Sequence, residues 1–109
     1  MPTKMKLLLM DDEDSLRLLV RDELENGGFE VTEAESGERA IELLQGAKFD
    51  LAILDIRMPG IDGLEVLKRI RKGGRETKVI MLTGVDELKI ARDSLALGAN
   101  DFLTKPYDF

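Results

Sequence analysis

Apolar runs alternate with helical periodicities along the chain. The runs at 5–10, 50–55 and 78–84 are almost continuously apolar, which is typical of strands buried on both faces of a sheet. Residues 29–34 alternate between apolar and polar positions and predict a strand near a sheet edge. A last short strand is predicted at 101–106. The pattern therefore predicts five strands.

Amphipathic segments occupy the intervals between these strands. Asp14 is predicted to cap the first segment and the Gly27-Gly28 pair to end it, and Ser36 is predicted to cap the second. Residues 57–63 contain a proline-glycine pair and predict a loop. The predicted helices are 14–28, 36–46, 64–74 and 86–99, and their predicted inward residues are Leu16, Leu19, Val20, Leu24, Ala40, Ile41, Leu44, Leu67 and Ile70.

The alternation of strands and helices predicts an α/β fold. Near-continuous apolar strands indicate a doubly wound, five-stranded parallel sheet with helices on both faces. In such a sheet, ligands bind at the carboxyl ends of the strands. Chemically useful side chains stand at four of the five predicted strand ends, whereas the second strand ends in an ordinary sequence. They are Asp11, Asp12, Asp55, Thr83 and Lys105.

Each of these side chains alone has an ordinary explanation as a helix cap, a turn residue or a solvated charge. Their combination is more specific. Asp12 and Asp55 follow strands that would lie roughly 5 Å apart if the strands pair, and carboxylates that close need a cation. The chain has no histidine and no cysteine, so the available ligands are oxygen atoms, which favours Mg²⁺. Thr83 and Lys105 add the hydroxyl and ammonium groups that stabilise a phosphoryl group during transfer to a carboxylate.

Composition narrows the function further. The 109 residues correspond to one domain, 1–109, and the net charge of −6 argues against direct binding of nucleic acid by this chain. No apolar run is long enough to cross a membrane, and the first residues lack a signal-peptide pattern, so no membrane association is expected. The lack of cysteine is compatible with a cytoplasmic location.

Four segments together resemble the receiver domain of two-component response regulators: "LLLMDDED", "LAILDIRMPGIDG", "VIMLTG" and "GANDFLTKP". The resemblance implies a flavodoxin-like sheet of strand order 2-1-3-4-5 and a phosphoryl group accepted by Asp55 from a sensor histidine kinase or a phosphotransfer protein. It also implies a Mg²⁺ ion bound directly by Asp12 and Asp55, through water by Asp11, and by the backbone carbonyl of Arg57. Such a chain is not an enzyme but assists its own phosphorylation and dephosphorylation.

The same resemblance implies roles for other residues. Thr83 and Lys105 would contact the phosphoryl oxygens, Thr83 and Phe102 would form a conformational switch, and the Lys105-Pro106 peptide would be cis. Phe102 stands where the family often has tyrosine, so a switch there would work by packing alone. Arg57 places a long cationic side chain at the mouth of the site, where an effect on the lifetime of the phosphoryl group is expected.

Three other functions remain as alternatives. An aspartyl-phosphate hydrolase of the haloacid dehalogenase type needs a second aspartate two residues after the nucleophile, and here that position is Arg57. A flavodoxin-like FMN-binding protein needs a phosphate-binding first loop, whereas "DDED" would repel a phosphate. A receiver that has lost phosphorylation is disfavoured because Asp12, Asp55, Thr83 and Lys105 are all present.

The family's fifth helix would begin near residue 106, and we expect this C-terminally short domain to lack it. Right-handed crossovers place the first helix alone on one face of the sheet, so side chains of "LAILD" and "VIML" on that face are expected to lack cover. Exposing one large apolar side chain costs roughly 1.5–3 kcal/mol. A homodimer, or an oligomer formed by exchange of elements, is therefore expected.

Overall fold

Five parallel strands form a single sheet in the computed structural model, which describes residues 4–105. The strand order is β2-β1-β3-β4-β5, so the predicted doubly wound, flavodoxin-like fold is confirmed. Strand β2 forms one edge, as its alternating sequence indicated, and β5 forms the other. The strands are β1 (Lys6–Met10), β2 (Glu30–Ala34), β3 (Leu51–Asp55), β4 (Lys78–Thr83) and β5 (Asp101–Thr104).

Four α-helices connect the strands within the described part of the chain. They are α1 (Asp14–Asn26), α2 (Gly37–Gly46), α3 (Gly63–Lys72) and α4 (Leu88–Ala96). A 3₁₀ turn at Val85–Glu87 precedes α4, so the predicted helix at 86–99 begins later and ends earlier as an α-helix. None of the helices described between residues 4 and 105 has the length and apolarity that a membrane span requires.

The caps agree with the sequence at α2 and differ at α1. Ser36 caps α2 as predicted, since its hydroxyl oxygen accepts a hydrogen bond of 3.1 Å from the backbone N–H of Arg39. The prediction for Asp14 is wrong because Glu13 occupies the N-cap position and Asp14 is the first helical residue. The Asp14 carboxylate instead lies 2.8 Å from the guanidinium of Arg17.

Helix α1 covers one face of the sheet and the other three helices contribute to the opposite face, which is the arrangement that right-handed crossovers produce. Alternate strand residues divide between the two faces. The core under α1 contains Leu7, Leu9, Val20, Ile53 and Leu82. The larger core on the other face includes Leu8, Met10, Leu44, Leu54, Val66, Leu67, Ile70, Met81 and Ala91.

Two expectations about packing need correction. Leu19 is 59% exposed, because the sheet-facing side of α1 carries residues spaced by four, Leu16, Val20 and Leu24. Ile53 and Leu82 do not lack cover, since both are buried in the cluster under α1. Leu103, on the same face, is the large apolar residue of β5 that is exposed. The predicted self-association loses part of its support and is not otherwise tested, and the predicted cis bond at Pro106 lies outside the described residues.

Candidate functional site

The carboxyl edge of the sheet brings together the side chains that follow its inner strands. Asp55 is the last residue of β3, and Asp11 directly follows β1, its hydrogen-bonded neighbour. Asp12 comes next in the loop that leads into α1. Each of these three residues offers one carboxylate oxygen, and the three oxygens lie within 4.8 Å of one another. The predicted acidic cluster is therefore present.

The acidic cluster is suited to a hard divalent cation. Asp11 and Asp55 are buried and Asp12 is exposed, so the cluster has one open side. Asp11 Oδ1 accepts a hydrogen bond of 2.9 Å from the backbone N–H of Glu13, whereas Asp11 Oδ2 is buried without a hydrogen-bond partner among residues 4–105. An unpartnered buried carboxylate oxygen is costly unless a cation or a water satisfies it. All donors in the cluster are oxygen atoms, as Mg²⁺ prefers.

Lys105 is the cation that the structure places against this cluster. Its Nζ donates a hydrogen bond of 2.7 Å to Asp55 Oδ2 and lies 3.8 Å from Asp11 Oδ2. Burial raises the pKa of Asp55 to about 6, and the charge of Asp11 adds to this effect, although the bond from Lys105 opposes it. Burial alone would lower the pKa of Lys105, but its bond to Asp55 and the nearby carboxylates outweigh burial and raise it.

Thr83 and Phe102 lie on neighbouring strands beside the cluster. Thr83 is fully buried at the end of β4, and its hydroxyl donates a hydrogen bond of 3.0 Å to the carbonyl of Gly84. In the register of β4 and β5, Thr83 aligns with Thr104, and Phe102 lies two residues earlier on β5. Side chains two residues apart in a strand share a face, so half-buried Phe102 lies on the same face as Thr83. Their predicted roles in a switch stay predictions.

Arg57 has a partner that sequence reasoning missed. Its side chain is 70% exposed, as expected for the mouth of the site, but its Nε lies 2.8 Å from Oε2 of the buried Glu87. Glu87 Oε1 also accepts a hydrogen bond of 3.0 Å from the backbone N–H of Gly84. Through Glu87, the loop after β3 is tied to the turn that precedes α4. The three-residue spacing from Gly84 to Glu87, at the start of a helix, was the available signal.

A second missed group lies behind the acidic cluster. Strand β2 carries Glu33 near its carboxyl end, and this residue binds Arg17 and Arg21 of α1. Arg17 also donates a hydrogen bond to the backbone carbonyl of Asp11. The three-residue spacing of Asp14 and Arg17 on one helix was an available signal for their ion pair, but only the fold reveals the bond to Asp11. Strand β2 therefore supports the site, although its end looked ordinary in sequence.

Fold and site together define a class of protein: a doubly wound α/β domain with three carboxylates, a lysine and a buried hydroxyl at the carboxyl edge of its sheet. Comparison with known families agrees with this class. Residues 7–109 match the family described as the response regulator receiver domain. The chain therefore belongs to the receiver-domain family of two-component response regulators.

Curated relatives and solved structures support this assignment. The chain is 35% identical to the chemotaxis protein CheY of Bacillus subtilis, over 94% of this chain and 86% of that protein. It is 39% identical to the alkaline phosphatase synthesis regulator PhoP of Bacillus subtilis, over 94% of this chain but 42% of that protein. The solved structure of the chemotaxis protein CheY4 of Vibrio cholerae has a TM-score of 0.89 at 33% identity, covering 97% of this chain and 90% of that one.

Some of these relatives are much longer than this chain. It spans less than half of PhoP and of the uncharacterised regulator YkoG of Bacillus subtilis, with which it shares 36% identity over 94% of its own length and 45% of that protein. It covers 83% of the sporulation initiation phosphotransferase F of the same organism, at 33% identity. The similarity to the longer regulators is therefore a similarity to part of each.

Proposed function

We propose that Asp55 of this receiver domain accepts a phosphoryl group from a sensor histidine kinase or a phosphotransfer protein, with Mg²⁺ as cofactor. The observation that carries the proposal is the buried Asp55 carboxylate, which lies 2.7 Å from Lys105 Nζ and beside the carboxylates of Asp11 and Asp12. A nucleophile, a fixed cation and a hard-metal donor set thus share one edge of the sheet.

The proposed roles follow from chemistry and position. An oxygen of Asp55 attacks phosphorus, the bond from phosphorus to the donor nitrogen breaks, and the imidazole leaves with the bonding electrons. Lys105 and the hydroxyl of Thr83 stabilise charge on the transferred oxygens. Bound Mg²⁺ would neutralise charge on the phosphoryl group and on the carboxylates.

The proposed Mg²⁺ ligands are drawn from the two loops at the carboxyl edge. Asp12 and Asp55 would bind the ion directly, Asp11 through water, and Arg57 through its backbone carbonyl. The inward-facing Oδ2 of Asp11 supports this set, because it is buried without a hydrogen-bond partner among the described residues. In this proposal the chain assists its own phosphorylation and dephosphorylation.

The test is phosphorylation of the purified chain by acetyl phosphate in millimolar Mg²⁺, followed by intact mass. One phosphoryl group should be added to the wild type and none to Asp55→Asn, and the adduct should be removed by hydroxylamine, as an acyl phosphate is. Asp101→Asn is the control, because Asp101 lies on β5 and its Oδ1 accepts a hydrogen bond from the next backbone N–H, outside the acidic cluster. Undiminished labelling of Asp55→Asn would overturn the assignment.

The hydrolase alternative has no observation in its favour. Its general acid would stand at position 57, where this chain has an arginine paired with Glu87. Membership of the receiver family favours the phosphoacceptor.

Three further expectations accompany the proposal. We propose that residues 1–109 form one receiver domain, that the chain acts in the cytoplasm, and that it self-associates. The family match over residues 7–109 supports the first. Sedimentation velocity across a concentration series tests the last, and a monomer at every concentration would contradict it.

A further inference from the structure

Arg17 joins three parts of the molecule behind the acidic cluster. Its side chain is 13% exposed, which is low for a guanidinium on a surface helix. Its Nη1 donates a hydrogen bond of 2.6 Å to the backbone carbonyl of Asp11, and its Nε donates one of 3.0 Å to Glu33 at the end of β2. Its Nη2 donates one of 2.8 Å to Asp14 at the start of α1.

These bonds leave Asp11 little freedom. Its backbone N–H donates a hydrogen bond of 3.1 Å to the carbonyl of Ala34, its carbonyl accepts the bond from Arg17, and its Oδ1 accepts the bond from Glu13. Only Oδ2, which faces the cluster, has no hydrogen-bond partner among residues 4–105. The carbonyl bound by Arg17 belongs to the peptide that joins Asp11 to Asp12. Fixing this peptide therefore fixes the direction in which both carboxylates leave the backbone.

We propose that Arg17 is a positioning residue for the metal site, which it serves by holding the Asp11–Asp12 peptide so that both carboxylates converge on the cation. The inference rests on the proposed function, because it assumes that the acidic cluster binds Mg²⁺. Groups that orient metal ligands from behind commonly change metal affinity by about 10- to 100-fold when removed.

Arg21 provides a matched control one turn along the same helix. It carries the same charge, and its Nη1 donates a hydrogen bond of 2.8 Å to the same carboxylate of Glu33. Its other ion-pair partners in the described chain are Asp22 and Glu25, both on α1. Both arginines therefore attach α1 to β2, but of the two only Arg17 donates a hydrogen bond to the Asp11–Asp12 peptide.

Removing the charge of Arg17 and removing its positioning hydrogen bond are expected to change the Mg²⁺ affinity in opposite directions. A guanidinium close to a cation site repels the cation, so removing its charge alone should strengthen Mg²⁺ binding. Losing the bond to the Asp11 carbonyl should weaken binding, because the two carboxylates would no longer be held in place. The sign of the change in affinity therefore separates the two effects.

The experiment is calorimetric titration of the full chain with Mg²⁺ at pH 7.5, with unfolding by urea in EDTA as the measure of stability. Arg17→Gln should bind Mg²⁺ about 10-fold or more weakly, whereas Arg21→Gln should stay within about 2-fold of the wild type, given the small effect of exposed charges. Arg17→Lys keeps the charge but not the fork of donors, and it should still bind several-fold more weakly. It is also the fallback if the glutamine variant fails to fold.

Tighter or unchanged binding by Arg17→Gln would overturn the proposal, and so would an equal loss of affinity in Arg21→Gln. If the wild type bound Mg²⁺ normally and only the arginine results failed, the positioning role alone would be wrong. If the wild type bound no Mg²⁺, the proposed metal site would itself fail, and the role of Arg17 with it.

Discussion

Replacing Asp55 by asparagine is expected to stabilise the metal-free protein at neutral pH, although it removes the proposed phosphoacceptor. Asp55 is 3% exposed, and burial, together with the charge of Asp11, raises its pKa from 3.8 to about 6 despite the bond from Lys105. A carboxyl group with a raised pKa binds more protons in the folded state than in the unfolded state. Stability from this group is therefore largest at acid pH and is lost as pH rises from about 4 through about 6.

The magnitude follows from the two pKa values. The difference between 3.8 and about 6 corresponds to a cost of about 3 kcal/mol once both states are ionised. Asparagine avoids this cost because it is neutral and has nearly the same shape. The gain of Asp55→Asn over the wild type should approach about 3 kcal/mol at pH 7.5 and fall to about half of that at pH 5. Loss of the charged partner of Lys105 makes these values upper limits.

Urea unfolding in EDTA at the two pH values measures the gain directly. Glu76→Gln is the matched control, since it also removes one negative charge but from an exposed residue at the opposite edge of the sheet. Excess Mg²⁺ should narrow or reverse the gain at pH 7.5, because only the wild type keeps all the proposed carboxylate ligands. A gain that is absent in EDTA, or equal at both pH values, would refute this account of Asp55.

Three further predictions concern the loops around the site. Gly63→Ala should lower the free energy of unfolding by about 1–3 kcal/mol or more, since its Cβ would clash with the backbone carbonyl oxygen of Asp55. Gly46→Ala, whose Cβ would meet nothing within 4 Å, should cost nothing in the same urea assay. Arg57→Met should lower the free energy of unfolding by up to about 1 kcal/mol. Because the two side chains form an ion pair, adding Glu87→Gln should cause no further loss. Losses that add up in this double-mutant cycle would contradict a direct ion pair. Phe102 should change rotamer when beryllofluoride binds, and identical rotamers in two crystal structures would refute the proposed switch.

The sequence was most informative about the edge of the sheet that holds the site. The pattern of the chain was enough to place Asp55, Thr83 and Lys105 at one edge of the sheet, because the ends of parallel strands meet there and each residue ends or follows a strand. Buried strands leave few choices of register, so the acidic residues after β1 had to approach Asp55 once the two strands paired. Local pattern and topology together were sufficient here.

Side-chain partners across loops could not be predicted in the same way. Several acidic residues between Asp11 and Asp14 could cap α1. Which residue occupies the N-cap position depends on Asp11, because its carboxylate accepts the hydrogen bond from the backbone N–H of Glu13. Arg57 and Glu87 lie thirty positions apart in sequence, so their ion pair depends on how two loops fold back toward each other. Leu19 fits the apolar stripe of α1 in the sequence, yet its side chain does not pack against the sheet and is exposed.

The carboxylates at the carboxyl edge of the sheet lower the stability of the fold, and packing elsewhere has to compensate for this. Three carboxylates lie close to one lysine at this edge. Burial of Asp55, with a smaller contribution from the charge of Asp11, makes its ionisation cost about 3 kcal/mol of folding free energy, against about 5–15 kcal/mol for a typical domain. The buried side chains of the inner strands, including Leu7 to Met10, hold the strand ends in place despite this repulsion. The proposed Mg²⁺ ion would remove the repulsion between the carboxylates, and the proposed phosphoryl group on Asp55 would change the charge again. In this proposal, the buried, closely spaced carboxylates that weaken the metal-free domain make its stability depend on Mg²⁺ and phosphoryl binding.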